Sequence, residues 1–411
     1  MNTLFLKDMR YRQARVVLTA LGITVLISLI LLLGGIMNGM RIQAQQYVKS
    51  TGADIWISAE GSGGAFIGFS LLIEENMAPL TAAQDFVTGS VSPLIFAQAQ
   101  PKIQGKSTKA IVVGYMTGKL GGPKHVVEGK MFKSSEFEDY RPEDPVPNEV
   151  IVDEKIGLEI GQQITIGTET VKVVGKTKSL MFVLDTPLLF MDIRVAQKVL
   201  LGNYPRVNMM IAKSKPIVRV GVNGQAEEIE QPEKVAANLD ASDAIEARTV
   251  EQTLKDIIGY YVDEPMKAVQ FLRVMLWLAA GLLVGMITYV TMLEKTQEIG
   301  VLKAIGASNN YVMALLLKQV ALISVIGVVI GFCLSYLFAA AAPIFVAINL
   351  VESIIVAGIS FIVCCGSGYF AARKAIMVDP MIAFRGEIDS APTRNVYIPS
   401  GVLAGNGDGG A

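Results

Sequence analysis

A chain of 411 residues, 52% hydrophobic and only 18% charged, is too apolar for an ordinary soluble protein, so a membrane protein is the first reading. Its formal net charge of -1 leaves no broad basic surface for neutralising phosphates, which sets nucleic-acid partners aside. Cys333, Cys364 and Cys365 all fall in apolar runs, and with the single His125 they supply neither a disulfide framework nor the ligands of a metal cluster.

The chain opens on Lys7, Arg10, Arg12 and Arg15, and no charge follows between Val16 and Met40. That run outlasts the apolar region of a signal peptide and exceeds the roughly 20 residues that cross a hydrocarbon core of ~30 Å. Met37-Asn38-Gly39-Met40 closes it without a small-residue cleavage pattern. Residues 1–41 are therefore read as an amphipathic segment and a retained first transmembrane helix.

Residues 42–265 read as a large extracytoplasmic α+β domain. Ile55-Trp56-Ile57 and Ala110-Ile111-Val112-Val113 are strand-like runs. Between Asn148 and Gly175, Val150/Val152, Ile164/Ile166 and Val171/Val173 alternate with polar residues around Gly167-Thr168-Glu169, which predicts a hairpin packed on one face. Arg141-Pro142-Glu143-Asp144-Pro145-Val146-Pro147 reads as a stiff linker at which the domain divides into two lobes. Thr249 with Gln252 forms a capping box, after which Val250, Leu254, Ile257, Ile258 and Tyr261 share one helical face up to Pro265. This helix leads toward the second span.

Residues 266–293 hold the second transmembrane helix, with Val274–Leu293 uncharged between Arg273 and Glu294, and 294–318 form a cytoplasmic segment. The third and fourth helices occupy 319–372: one runs to about Ala340, Pro343 favours an outer turn, and the next spans Ser353–Ala372. Residues 373–411 form a tail whose Gly-rich end, Gly401–Ala411, has a disordered composition. Orientation follows from Lys and Arg near the spans. The first segment carries four, the connection between spans two and three carries Lys295, Lys303 and Lys318, and the tail opens with Arg373 and Lys374. The loop between spans three and four has none, so both termini are expected in the cytoplasm of a multi-pass protein of a bacterial inner or plasma membrane. Arg41 and Arg273, at the outer ends of spans one and two, weaken the contrast.

The connection reads Glu294-Lys295-Thr296-Gln297-Glu298-Ile299-Gly300-Val301-Leu302-Lys303-Ala304-Ile305-Gly306-Ala307-Ser308. Glu294 and Glu298 lie four apart on one helical face, with Lys295 and Lys303 mixing the sign beside them. Such a face suits a polar docking groove, with Ile299, Val301, Leu302 and Ile305 offering apolar contacts and Gly300 and Gly306 permitting close backbone approach. The segment resembles the E-[KR]-T-x-E-[IF]-G-[IV]-L-[KR]-A-[IL]-G-A-[ST] signature of the MacB/FtsX-type ABC transporter permeases. Leu18-Thr19-Ala20-Leu21-Gly22-Ile23 is similar to the start of their first span. Ala371-Ala372-Arg373-Lys374-Ala375 with Asp379-Pro380-Met381-Ile382-Ala383-Phe384-Arg385 resembles their closing motif, and Asn148–Gly175 their strand, short helix and hairpin. Tyr369-Phe370-Ala371 departs from the pattern where a proline often stands.

The resemblance implies a four-span permease that forms a homodimer and works with a cytoplasmic ABC ATPase dimer. It assigns the contact to Glu294, Thr296, Glu298, Ile299, Gly300, Leu302, Lys303, Ala304, Gly306 and Ala307. ATP and Mg are expected in that partner and no cofactor in this chain. Gly105-Lys106-Ser107 has the ending of a phosphate-binding loop, but Gln100 stands where its first glycine is required. Ala59-Glu60-Gly61-Ser62-Gly63-Gly64 reads as a flexible outer loop rather than a nucleotide cradle. Gly35/Gly39, Gly281/Gly285 and Gly327/Gly331 permit close helix crossings, within one subunit or across a dimer. The methionines of the spans, Met37, Met40, Met275, Met286 and Met292, are read as core or lipid-facing residues rather than ligands of a haem-like substrate.

The expected function is ATP-driven export or extraction of an amphipathic substrate by mechanotransmission, with membrane lipids and a periplasmic adaptor as further partners. A signalling complex that activates an outer hydrolase or sensor without transport uses the same lever. A membrane-anchored enzyme requires a nucleophile, a base and an orienting residue in 42–265, a constellation these residues do not offer.

Overall fold

The computed structural model describes residues 13–73, 86–87, 90–103, 105–131, 148–220, 226–229, 232–240 and 244–376. The linker Arg141–Pro147, the closing motif Asp379–Arg385, the tail Gly401–Ala411 and Lys7, Arg10 and Arg12 lie outside them. Among the described residues, four helices are long and apolar enough to cross a membrane, within Val16–Thr51, Val250–Glu294, Asn309–Ala341 and Leu350–Lys374. The described residues fall into two compact units. One is drawn from Met1–Val25, Trp277–Ile330 and Gly358–Ala411, the other from Leu26–Leu276 and Gly331–Ala357.

The second unit is organised by a 13-stranded mixed sheet between the first two long helices in sequence. From one edge the order runs Ile245–Thr249, Ile55–Ala59, Met209–Ala212, Ser92–Ala99, Ala110–Tyr115, Thr186–Asp192, Glu149–Asp153, Glu169–Thr177 and Gln163–Ile166, ending on a small hairpin of Lys102–Ile103 and Lys106–Ser107. Strands from before and after the linker are hydrogen-bonded neighbours here, so they form one sheet rather than two.

Both faces of the sheet are covered, which is why Ala110–Tyr115 is buried at every position instead of alternating. On one face Ile55, Ile57, Val112, Val150 and Val152 pack with Ile193, Val195 and Ala196 of the helix Ile193–Leu201. On the other, Trp56, Phe96, Ile111, Val113 and Phe190 pack with Ala44, Tyr47 and Val48 of the first long helix and with Ile257, Val262 and Met266 of the second. The expected hairpin is present: Gln163–Ile166 pairs antiparallel with Glu169–Thr177. Gly167 supplies the positive φ, +60°, that a two-residue turn demands.

The two long helices reach the sheet by running past their expected limits. The first continues beyond Arg41 to Thr51. In the capping box, the Thr249 hydroxyl accepts from the Gln252 N–H at 3.3 Å and the Gln252 side chain accepts from the Thr249 N–H at 2.9 Å. The helix it starts, Val250–Ile258, does not stop before Pro265 but passes through a π-turn, Gly259–Asp263, into Glu264–Glu294. There the Glu264 N–H donates to the Gly259 carbonyl, and this wider step places Pro265, which has no N–H to give, in the first turn of a new register. Aromatic rings join the two helices across the core: Tyr47 stacks on Phe96 at 5.4 Å, Phe96 meets Phe182 at 5.1 Å, and Phe182 meets Tyr261 at 5.4 Å.

Both arginines that blurred the charge pattern are ion-paired, Arg41 to Asp263 at 2.8 Å and Arg273 to Glu352 at 3.1 Å. Of the expected outer loop Ala59–Gly64, Ala59 ends the strand Ile55–Ala59 and residues 60–64 form turns that lead to the buried Ala65 and Phe66. Lys106-Ser107 forms a strand paired with Lys102–Ile103, so no helix N-terminus follows Gly105 to hold a phosphate.

In the first unit the small residues serve crossings within the chain. A Cβ on Gly285 would lie 2.6 Å from the Ser367 hydroxyl, and one on Gly327 would lie 2.6 Å from Ile23. Gly35 and Gly39, in the second unit, have residues 345–348 as their nearest neighbours among the described residues. They admit the irregular segment 345–348 between the third and fourth long helices, where the Ala347 N–H donates to the Gly35 carbonyl at 2.9 Å.

Candidate functional site

The segment Glu294–Ser308 lies wholly in the first unit and folds as a helix end, a short helix and a helix start. Glu294 is the last residue of the second long helix, and Lys295, at φ -92° and ψ 7°, breaks it. A broken helix leaves carbonyls without partners. The Thr296 hydroxyl donates to the Leu293 carbonyl at 2.7 Å and to the Met292 carbonyl at 3.2 Å, which also accepts from the Lys295 N–H at 3.2 Å.

A short helix then spans Thr296–Ala304. It ends where Gly306 adopts φ +101°, the left-handed conformation that closes a helix at low steric cost. The Gly306 N–H donates to Lys303 at 3.0 Å and the Ala307 N–H to Leu302 at 2.9 Å, the paired bonds of a Schellman termination. Ser308 starts the third long helix, its hydroxyl and carbonyl accepting from the Tyr311 N–H at 3.3 and 3.0 Å. Thr296, Gly306, Ala307 and Ser308 thus build the turns, a role residue spacing alone does not disclose.

Ile299 points inward, packing with Met313 against Met292, Val312, Leu316 and Ala372 from the second, third and fourth long helices. This apolar contact ties the short helix to three spans at once. Lys295 is half-buried: burial lowers its amine pKa, and the nearby Glu298 carboxylate pulls it partly back up. Leu302 and Lys303 are half-buried, and their carbonyls carry the terminating bonds.

Other positions of the segment face outward. Glu294 and Glu298 are exposed, Val301 is 57% exposed and Ile305 81%. Glu298, Val301 and Ile305 follow i, i+3, i+7 spacing, so they form one stripe on the side away from Ile299. Nothing lies within 4 Å of a Cβ built on Gly300, which leaves its backbone open to close approach. The arrangement is an exposed patch with acid at one end and large apolar side chains at the other, the composition of a protein contact surface. Of the expected contact residues, Ile299 faces the spans, while Val301 and Ile305 face out; the side chain of Ala304 lies outside the described residues.

Residues 16–242 match the MacB-like periplasmic core domain, and residues 271–380 match the FtsX-like permease C-terminal domain. An ABC transporter permease of Mycobacterium tuberculosis (strain ATCC 25618 / H37Rv), itself uncharacterized, is 23% identical over 93% of this chain and 98% of its own length. The macrolide export ATP-binding/permease protein MacB of Escherichia coli is 25% identical, covering 93% of this chain and 60% of that longer protein. Among solved structures, the periplasmic region of MacB from Actinobacillus actinomycetemcomitans aligns at 13% identity and a TM-score of 0.35, covering 51% of this chain and 95% of that one.

Proposed function

The chain belongs to the MacB/FtsX-type ABC transporter permeases, multi-pass proteins of the bacterial plasma membrane, and from that premise we propose that it couples ATP hydrolysis in a partner chain to export or extraction of an amphipathic substrate by mechanotransmission. The reading rests on one observation: the stripe Glu298, Val301 and Ile305 is exposed although every turn around it is satisfied within the chain. An ABC permease implies an ATPase, and this stripe is the surface we assign to it, with ATP and Mg held by that chain. Ile299 carries the push into the spans. The first two long helices, continuous as far as the sheet, carry it to the outer domain.

In this reading both termini and the short helix are cytoplasmic, two copies of the permease meet two ATPases, and a periplasmic adaptor extends the path where the envelope has a second membrane. The test is reconstitution of permease and ATPase in proteoliposomes. Substrate-stimulated ATP turnover with efflux, abolished by Glu298→Lys in a folded permease, is the expected result. Full activity in that variant would sink the coupling assignment. ATP-dependent activation of an outer partner without efflux would replace export by signalling.

A further inference from the structure

Within the sheet-bearing unit a groove of about 1030 Å³ opens beside the end of the third long helix. Its two walls differ in chemistry. One is made by Tyr336, Ala339 and Ala340 from the last turns of that helix, continued by Pro343, Ile344 and Phe345 of the extended segment beyond it. Tyr336 and Phe345 are 44% and 42% exposed. An aromatic belt at the end of a span marks the depth where hydrocarbon gives way to head groups. The facing wall carries Lys106, Thr108 and Lys155.

The floor is a built site. Leu184 and Asp185 both hold left-handed backbone, φ 58° and 55°, a strained conformation for residues with side chains. The strain brings the Asp185 carboxylate to three donors: the Gln43 amide, the Lys155 ammonium at 3.3 Å and the Phe345 N–H at 2.6 Å. Asp185 thus fixes the apolar wall to the sheet and takes up the charge of Lys155. Lys106 is exposed and has no ion pair among the described residues, and Lys102 and Lys109 beside it in the chain are exposed as well. A groove with a wet cationic rim and an apolar wall at membrane depth calls for a ligand that is anionic at one end and hydrocarbon at the other.

We infer that this groove binds an anionic glycerophospholipid of the leaflet on the domain's side, with its phosphate at Lys106 and Thr108 and an acyl chain against Ala339, Ala340 and Phe345. The site is independent of whether the complex exports or signals. The test uses full-length permease in detergent and native mass spectrometry, titrating phosphatidylglycerol and phosphatidylcholine of identical chains, with glycerol phosphate as the free head group. Phosphatidylglycerol should be retained in preference, Lys106→Gln should weaken it about fivefold and remove most of its preference over phosphatidylcholine, and Ala340→Trp, which fills the apolar wall, should release both. Equal retention of the two lipids, or no effect of Lys106→Gln in a protein of unchanged circular dichroism, would overturn the inference. Complete displacement by glycerol phosphate would overturn it too, because the site would then take a soluble anion.

Discussion

At the scale of single residues, the connection between the second and third long helices separates positions that shape the turn from positions that face outward. Gly306 shapes it, and a side chain at φ +101° is strained even though a Cβ there meets nothing within 4 Å. Gly306→Ala should cost about 1 kcal/mol locally and lower the yield of coupled complex, measured as ATPase stimulation per folded permease. Lys295 gives a pH test. Burial lowers its pKa, so between that lowered value and 10.5 the unfolded chain holds more protons than the folded one, and folding gains stability as pH rises through that window. Glu298 opposes the shift, so Glu298→Gln should move the onset of Lys295 amine labelling to lower pH; a move to higher pH would contradict the assigned cause. Thr296 shows what spacing conceals. Its hydroxyl serves the helix that precedes it, whereas the sequence pattern groups it with the contact residues of the short helix.

At the scale of elements, periodicity disclosed what one face of an element controls. The capping box at Thr249, the hairpin Gln163–Thr177 and the span positions all follow from alternation or apolar length. Departures arise where a second contact overrides a local rule. The apolar face of the capped helix is legible only up to Pro265, whereas a π-turn just before that residue carries the helix on, with Pro265 in a first turn where no N–H is needed. Gly35 and Gly39 read as a helix-crossing motif, yet they accommodate the irregular segment 345–348. The Arg273–Glu352 pair joins residues far apart in sequence, and the only hint was that each stands at the same end of a span. The continuous helix also yields a test of mechanotransmission. Deleting one residue of Gly259–Asp263 rotates the second span by about 100° relative to the outer domain. The variant should keep ATPase binding and a folded sheet but lose transport. Unimpaired transport would show that the helix is not the relay.

For the whole molecule, the expected four spans, with a large α+β domain between the first and second in sequence, are present among the described residues, because apolar length and strand alternation are both written in contiguous residues. The single continuous sheet was not legible. Its order places Glu149–Asp153 beside Thr186–Asp192 and Ala110–Tyr115 on that strand's other side, pairings that no local pattern encodes. The proposed direction of insertion rests on the basic residues at the span ends and predicts that a cysteine at Thr168 reacts with a membrane-impermeant reagent in intact cells while Lys303 stays protected. The reverse pattern would invert the topology. The proposed coupling as a whole depends on whether the exposed stripe meets an ATPase. The most direct measurement places a photo-crosslinking residue at Ile305 in the full complex and identifies the attached chain during ATP turnover. Crosslinks to the partner ATPase, lost with Glu298→Lys while the permease stays in the membrane, are the predicted result, and an Ile305 that crosslinks only to lipid or to the permease itself would contradict it.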